Sequence, residues 1–127
     1  MGDGQIGSGG FKELKVWQKS KQLAVEIYLF TKDASFNRDF GLRDQIRRAA
    51  VSIPSNIAEG DERGSNKDAV RFLYISKGSL AELQTQLEIA YEIGYIDQQT
   101  LKNVGSECLT IGKMLGSLIK ARTQSKV

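Results

Sequence analysis

Histidine is missing altogether from these 127 residues, and cysteine, proline and tryptophan occur once each. Without histidine no Ser-His-Asp or Cys-His pair can form and no metal can be held through imidazole, which closes the commonest routes to nucleophilic and metal-assisted chemistry. General acid-base work by carboxylates alone would need two acids paired in a cleft, and no spacing along the chain announces such a pair. No enzyme activity, metal or cofactor is expected. The lone cysteine, Cys108, makes no intrachain disulfide, so nothing points to an oxidising compartment. No apolar run approaches the roughly 18 to 20 residues that span a bilayer. The N-terminus also lacks the charged-then-apolar order of a signal peptide. A cytoplasmic chain with no membrane partner is the expectation.

What is present is ordinary globular material. Apolar residues make up 40% and charged residues 26%, too hydrophobic a mixture for a disordered chain of net charge +3. At this length one domain can bury a core without a staple. The charge is uneven: residues 11–33 carry +2, 34–60 carry +1, 61–94 carry −2 and 95–127 carry +3. Such a basic balance permits an anionic partner without requiring one.

From Phe11 onward the apolar period is helical, interrupted by a single proline. The first ten residues, MGDGQIGSGG, hold almost nothing apolar and read as a flexible tail, as do 123–127; the domain is then 11–122. A first helix is predicted over 12–31, with Leu14, Trp17, Leu23 or Ala24, Ile27 and Phe30 on one face. Residues 32–39 read as a loop, with Ser35, Asn37 and Asp39 as turn and cap formers. The second helix, 40–59, repeats Leu42, Ile46, Ala49, Ala50, Ile53 and Ile57, and Gly60 with the polar run Asp61, Glu62, Arg63 and Gly64 ends it. Ser65 or Asn66 caps a third helix that reaches about residue 93, carrying Val70, Leu73, Leu80, Leu83, Leu87 and Ala90 and closed by Gly94. The fourth opens at Asp97 and keeps Leu101, Val104, Cys108, Ile111, Leu115 and Leu118 as a heptad seam. Four helices with three short connections predict an all-α, up-and-down antiparallel four-helix bundle.

Two stretches, 27–30 and 72–75, are four apolar residues long, and at 100° per residue each run covers about 300° of its helix. One core face cannot absorb them. Either a few of these residues stay partly exposed or, the reading favoured because both runs include aromatics, a second face is buried between copies of the chain, with Tyr28, Phe30, Phe72 and Tyr74 at the interface. Gly112, Gly116 and the pair Gly78 and Ser79 add small residues inside helices, where close helix approach would offset their roughly 1 kcal/mol cost.

The most informative stretch is SIPSNIAEG at 52–60, whose apolar period runs straight through Pro54. The proline removes the hydrogen bond to the Ala50 carbonyl, so a bent but continuous helix is predicted, with Ser52 or Asn56 near the freed carbonyl. On the helical wheel Gln45, Arg48, Ser52, Asn56 and Glu59 form a polar stripe beside the apolar face. It either satisfies groups at the bend and at a subunit boundary or contacts a ligand or nucleic acid.

Together with FKELKVWQK at 11–19, LRDQIRRAAV at 42–51, GSLAEL at 78–83 and GYI at 94–96, this stretch resembles the proteins encoded in intervening sequences of bacterial 23S rRNA genes, over about residues 11–120. The resemblance implies a homopentamer, five bundles around a central channel. It also implies kinship with accessory proteins of diversity-generating retroelements, whose basic surfaces bind nucleic acid and reverse transcriptase. It carries over no catalytic residue. The function expected first is therefore non-catalytic binding of RNA or DNA through phosphates, without sequence specificity. Arg43, Arg47 and Arg48, with Lys113, Lys120, Arg122 and Lys126, are the candidate contacts. Five copies would multiply the charge to about +15, and affinity tracks the phosphates neutralised. The aromatic residues sit at core spacing and suggest no base stacking. The alternative is a symmetric scaffold that recruits a protein, for which the acidic third helix, with Glu82, Glu88 and Glu92, suits a basic partner.

Overall fold

The computed structural model describes residues 10–124, and every described element is helical. Most of the expected tails, and Lys126, lie outside the described residues. A single 3-10 turn, Gly10–Glu13, leads into α1 (Lys15–Phe30), a one-turn α2 (Ala34–Asn37), α3 (Phe40–Glu62), α4 (Asn66–Glu92) and α5 (Gln98–Gln124). The four long helices pack in chain order, α1 on α3, α3 on α4 and α4 on α5, and α5 closes back on α1. That is an up-and-down bundle. Packing is most extensive between α3 and α4 and least extensive between α1 and α5.

Short polar side chains start the helices as their chemistry dictates. The carboxylates of Asp39 and Asp97 and the hydroxyl of Ser65 accept from the backbone N–H groups of Leu42 (3.1 Å), Thr100 (2.7 Å) and Asp68 (3.1 Å). The backbone N–H of Thr100 holds the Asp97 carboxyl below its usual range. At the end of α4, Gly94 takes φ +86°, its N–H donates to Tyr91 O, and that of Tyr95 donates back to Ala90 O at 2.8 Å. This left-handed turn needs glycine and satisfies carbonyls left open at the helix end. It also aims Tyr95 across the bundle, where its hydroxyl meets Asp39 Oδ2 at 3.0 Å. That bond raises the phenol's pKa.

The core is the intended seam: Leu23, Ile27, Ile46, Ile53, Leu83, Leu87, Cys108, Ile111 and Leu115 are fully enclosed or nearly so. Burial, and secondarily the charge of Glu107, pushes the Cys108 thiol up to about 12. Ile119 is buried and Leu118 only half-buried, which shifts the last turn of the heptad reading by one residue.

Other readings are corrected. Residues 32–39 are not an open loop, because α2 drives Phe36 to 0% exposure between the rings of Phe30 and Tyr95. The second helix runs past Gly60 to Glu62 and ends within the polar run that follows, not at Glu59. A Cβ at Gly60 would stand 2.6 Å from Phe72 Cβ and 3.3 Å from the Ala69 backbone, so this glycine is where α3 and α4 touch. Gly78 and Gly116 have open space where a Cβ would sit, and Gly112 meets only Leu80 Cδ2 at 3.4 Å. Close approach therefore belongs to Gly60. Pro54 lies buried inside an unbroken α3, as the apolar period requires. Ser52 and Asn56 do not serve the Ala50 carbonyl; they bond to each other and across to α4.

Candidate interaction surfaces

At the junction of α1 and α3, Arg47 spreads over the Tyr28 ring (4.5 Å). Its Nε donates to Thr31 Oγ1 at 2.8 Å, and the Thr31 hydroxyl donates on to Ile27 O at 2.6 Å. A guanidinium at the negative end of a helix stabilises it, and here Arg47 also reaches the carbonyl of Tyr28 at 3.5 Å. Arg43 is likewise occupied, with Asp44 at 3.1 Å and the Phe40 ring at 4.7 Å. Arg122 reaches Asp61 at 3.1 Å and ties the end of α5 to the end of α3. Of the basic residues picked out in the described chain, Arg48, Lys113 and Lys120 are exposed and hold no ion pair. Arg48 stands over a shallow groove with Tyr28, Asp44 and Val51.

Between α3 and α4 the hydroxyls of Ser52 and Ser79 meet at 2.8 Å. Asn56 Nδ2 donates to both the carbonyl and the hydroxyl of Ser52 (2.9 Å each), and buried Ser76 donates to Ile53 O at 2.9 Å. The middle of the polar stripe is thus structural. Its ends differ, since Gln45 and Arg48 are exposed without partners and Glu59 holds only the exposed Arg63 at 3.2 Å. Buried Gln86 Oε1 has no hydrogen-bond partner.

The α1–α5 seam is the open side of the bundle. Toward the start of α1 it is a mainly apolar groove floored by Leu14, Val16, Met114 and Leu118 with Lys15 and Lys113 on its rim. Lys12, Lys19 and Lys120 are exposed at the same end. Toward the end of α1 the lining changes to Leu29, Phe30, Val104, Glu26 and Glu107. Partial burial, then a hydrogen bond to Glu26 and the charge of Glu26, push the Glu107 carboxyl up to about 7, against a smaller pull from Lys19. Sequence spacing could not reveal this pair across 81 positions. Among the described residues no cluster of three or more potential metal ligands occurs.

The apolar runs divide. Ile27 is buried and Phe30 half-buried, while Tyr28 (43%) and Leu29 (59%) face outward. Tyr74 (55%) and Ile75 are exposed, but Phe72 is only 7% exposed, packed inside the chain against Gly60 and flanked by Arg63 and Arg71. Of the four aromatic residues expected at an interface, Tyr28 and Tyr74 are therefore exposed, while Phe72 and half-buried Phe30 pack within the chain; Leu29 and Ile75 are the further exposed apolar residues of the two runs. No described helix is long and apolar enough to cross a membrane.

No curated protein matches the chain significantly. A crystal structure from Bacteroides thetaiotaomicron VPI-5482, described as a protein with unknown function from the S23 ribosomal protein family, superposes with a TM-score of 0.76 at 29% identity, covering 83% of this chain and 98% of that one. The profile of the 23S rRNA-intervening sequence proteins matches residues 12–117, the four long helices almost entire. The chain belongs to the 23S rRNA-intervening sequence protein family.

Proposed function

We propose that this protein is a non-catalytic, self-associating bundle that holds RNA or DNA through phosphate contacts. The observation that carries the reading is the group of exposed lysines, Lys12, Lys19, Lys113 and Lys120, gathered where the start of α1 meets the end of α5. Lys113 and Lys120 were expected on sequence grounds. Lys12 and Lys19 join them in place of Arg43, Arg47 and Arg122, which are occupied inside the chain. Self-association is supported by Tyr28, Leu29, Tyr74 and Ile75, exposed apolar side chains on two helices. The number five comes from the family resemblance.

Gel shifts of unrelated RNA and DNA sequences test the binding. Affinities should be similar and should fall about a hundredfold between 50 and 200 mM salt if each protomer neutralises four phosphates. Reversing Lys113 and Lys120 to glutamate should weaken all of them together. Absence of any shift at 50 mM salt with micromolar protein would overturn the reading. A scaffold for a basic protein, of which a reverse transcriptase is one candidate, is the second reading. It is favoured by the exposed Glu82, Glu88 and Glu92 on α4.

A further inference from the structure

We infer that the open α1–α5 seam of one copy receives the outer edge of α3 of the next, with Arg48 set between Glu26 and Glu107 and Glu59 set against Lys15. The inference rests on the self-association proposed above and names its interface.

Eleven residues separate Lys15 from Glu26 on α1, and eleven separate Arg48 from Glu59 on α3. Eleven residues are three helical turns, about 16 Å, so each pair lies along one line of its helix. The two helices are antiparallel, and their levels are fixed by Arg47 at the end of α1 and by Gly10 beside Glu62 at the other end. Arg48 is consequently level with Glu26, and Glu59 is level with Lys15. In a closed ring about an axis along the bundle, neighbouring copies stand parallel. Laying the α3 edge of one into the seam of the next then sets cation against carboxylate at both ends.

The residues between fit the same occupant. Val51 is 40% exposed and Ser55 is small and exposed, suited to a groove whose floor includes half-buried Met114 and Leu118. Asp44, which lines the same groove as Arg48, is already held by Arg43. Within a single copy Glu26 and Glu107 have no ion-pair partner, and Lys19 is the cation that bears on them. A helix edge with one charge order therefore meets a groove with the complementary order. The outward charges of α4 run the other way: Lys67, Arg71 and Lys77 come first and Glu82, Glu88 and Glu92 follow. In a parallel ring they would set lysine against lysine, which excludes α4 as the occupant.

Light scattering after size exclusion of the full chain, with thermal melts of each variant, tests the interface. Arg48→Glu and Glu26→Lys should each weaken assembly about tenfold or more, as like charges meet, and the double variant should regain the wild-type mass. Glu26→Lys also relieves the carboxyl pair, so its melt should not fall and lost assembly cannot be ascribed to misfolding. If the wild type assembles and the single reversals leave its mass unchanged, or the double variant fails to recover, this interface is wrong and self-association stands. A wild-type mass near 14 kDa would overturn both.

Discussion

The α3–α4 and α1–α5 seams are built from opposite materials. Across α3–α4 glycine meets alanine and the base of Phe72, hydroxyl meets hydroxyl, and a missing Cβ lets two helices touch. Across α1–α5 long and charged residues stand among the small ones, two carboxyls crowd each other, and methionine and leucine stay half-open. Small residues permit close packing and make it unforgiving, while long ones leave space that can be filled from outside. The closed seam fixes the fold and the open one remains available for binding.

That contrast can be broken most directly at Gly60. Alanine in a helix interior ordinarily gains about 1 kcal/mol over glycine, but here the new methyl group would collide with Phe72, and Gly60→Ala should cost about 2 to 3 kcal/mol in urea unfolding. A Gly60→Ala, Phe72→Ala pair should cost clearly less than the two single changes added. Next in size, Asn56→Ala should cost about 1 kcal/mol, because it removes the amide that joins the Ser52 hydroxyl and carbonyl. An unchanged urea midpoint would show that Ser52 and Ser79 suffice alone.

On the open seam the effect is smaller and depends on pH. Glu107 titrates near 7 in the fold against an ordinary 4.5. Its contribution is thus fully favourable below about pH 4.5 and is lost as pH rises through about 7. Glu107→Gln in dilute, dissociated protein should therefore melt higher than wild type at pH 8, by less than about 1 kcal/mol because solvent screens the pair. The difference should vanish near pH 5. Smallest of all, Gly78→Ala, on the outer side of the closed seam where no atom lies within 4 Å, should stabilise the chain by about 0.5 kcal/mol. A loss instead would place Gly78 in a contact between copies.

The helices and their caps were legible because they are local matters. Asp39, Ser65 and Asp97 cap three helices, Gly94 closes the one that Ser65 opens, and the continuous period across 53–57 correctly kept Pro54 inside α3. The errors came from tertiary pairings. Phe36 sits in a polar stretch with no period of its own, and only Phe30 and Tyr95 make it core. Gly60 carries the usual signature of a helix end, and its use shows only once Phe72 is opposite. Arg47 resembles its neighbours Arg43 and Arg48 until the end of α1 arrives beside it. The candidate surface was legible in its charge sign but not in its membership, since lysines near residues 15 and 113 meet only through the return of α5.

The thiol of Cys108 has 0% exposure and a pKa pushed up to about 12, so alkylating reagents that attack thiolates find nothing to attack in the closed bundle. The chain therefore carries its own clock. The rate at which that sulfur is labelled in native buffer counts how often α5 swings away from its neighbours. Because no other cysteine competes, one mass-spectrometric peak reports the opening of the whole bundle without any engineered probe.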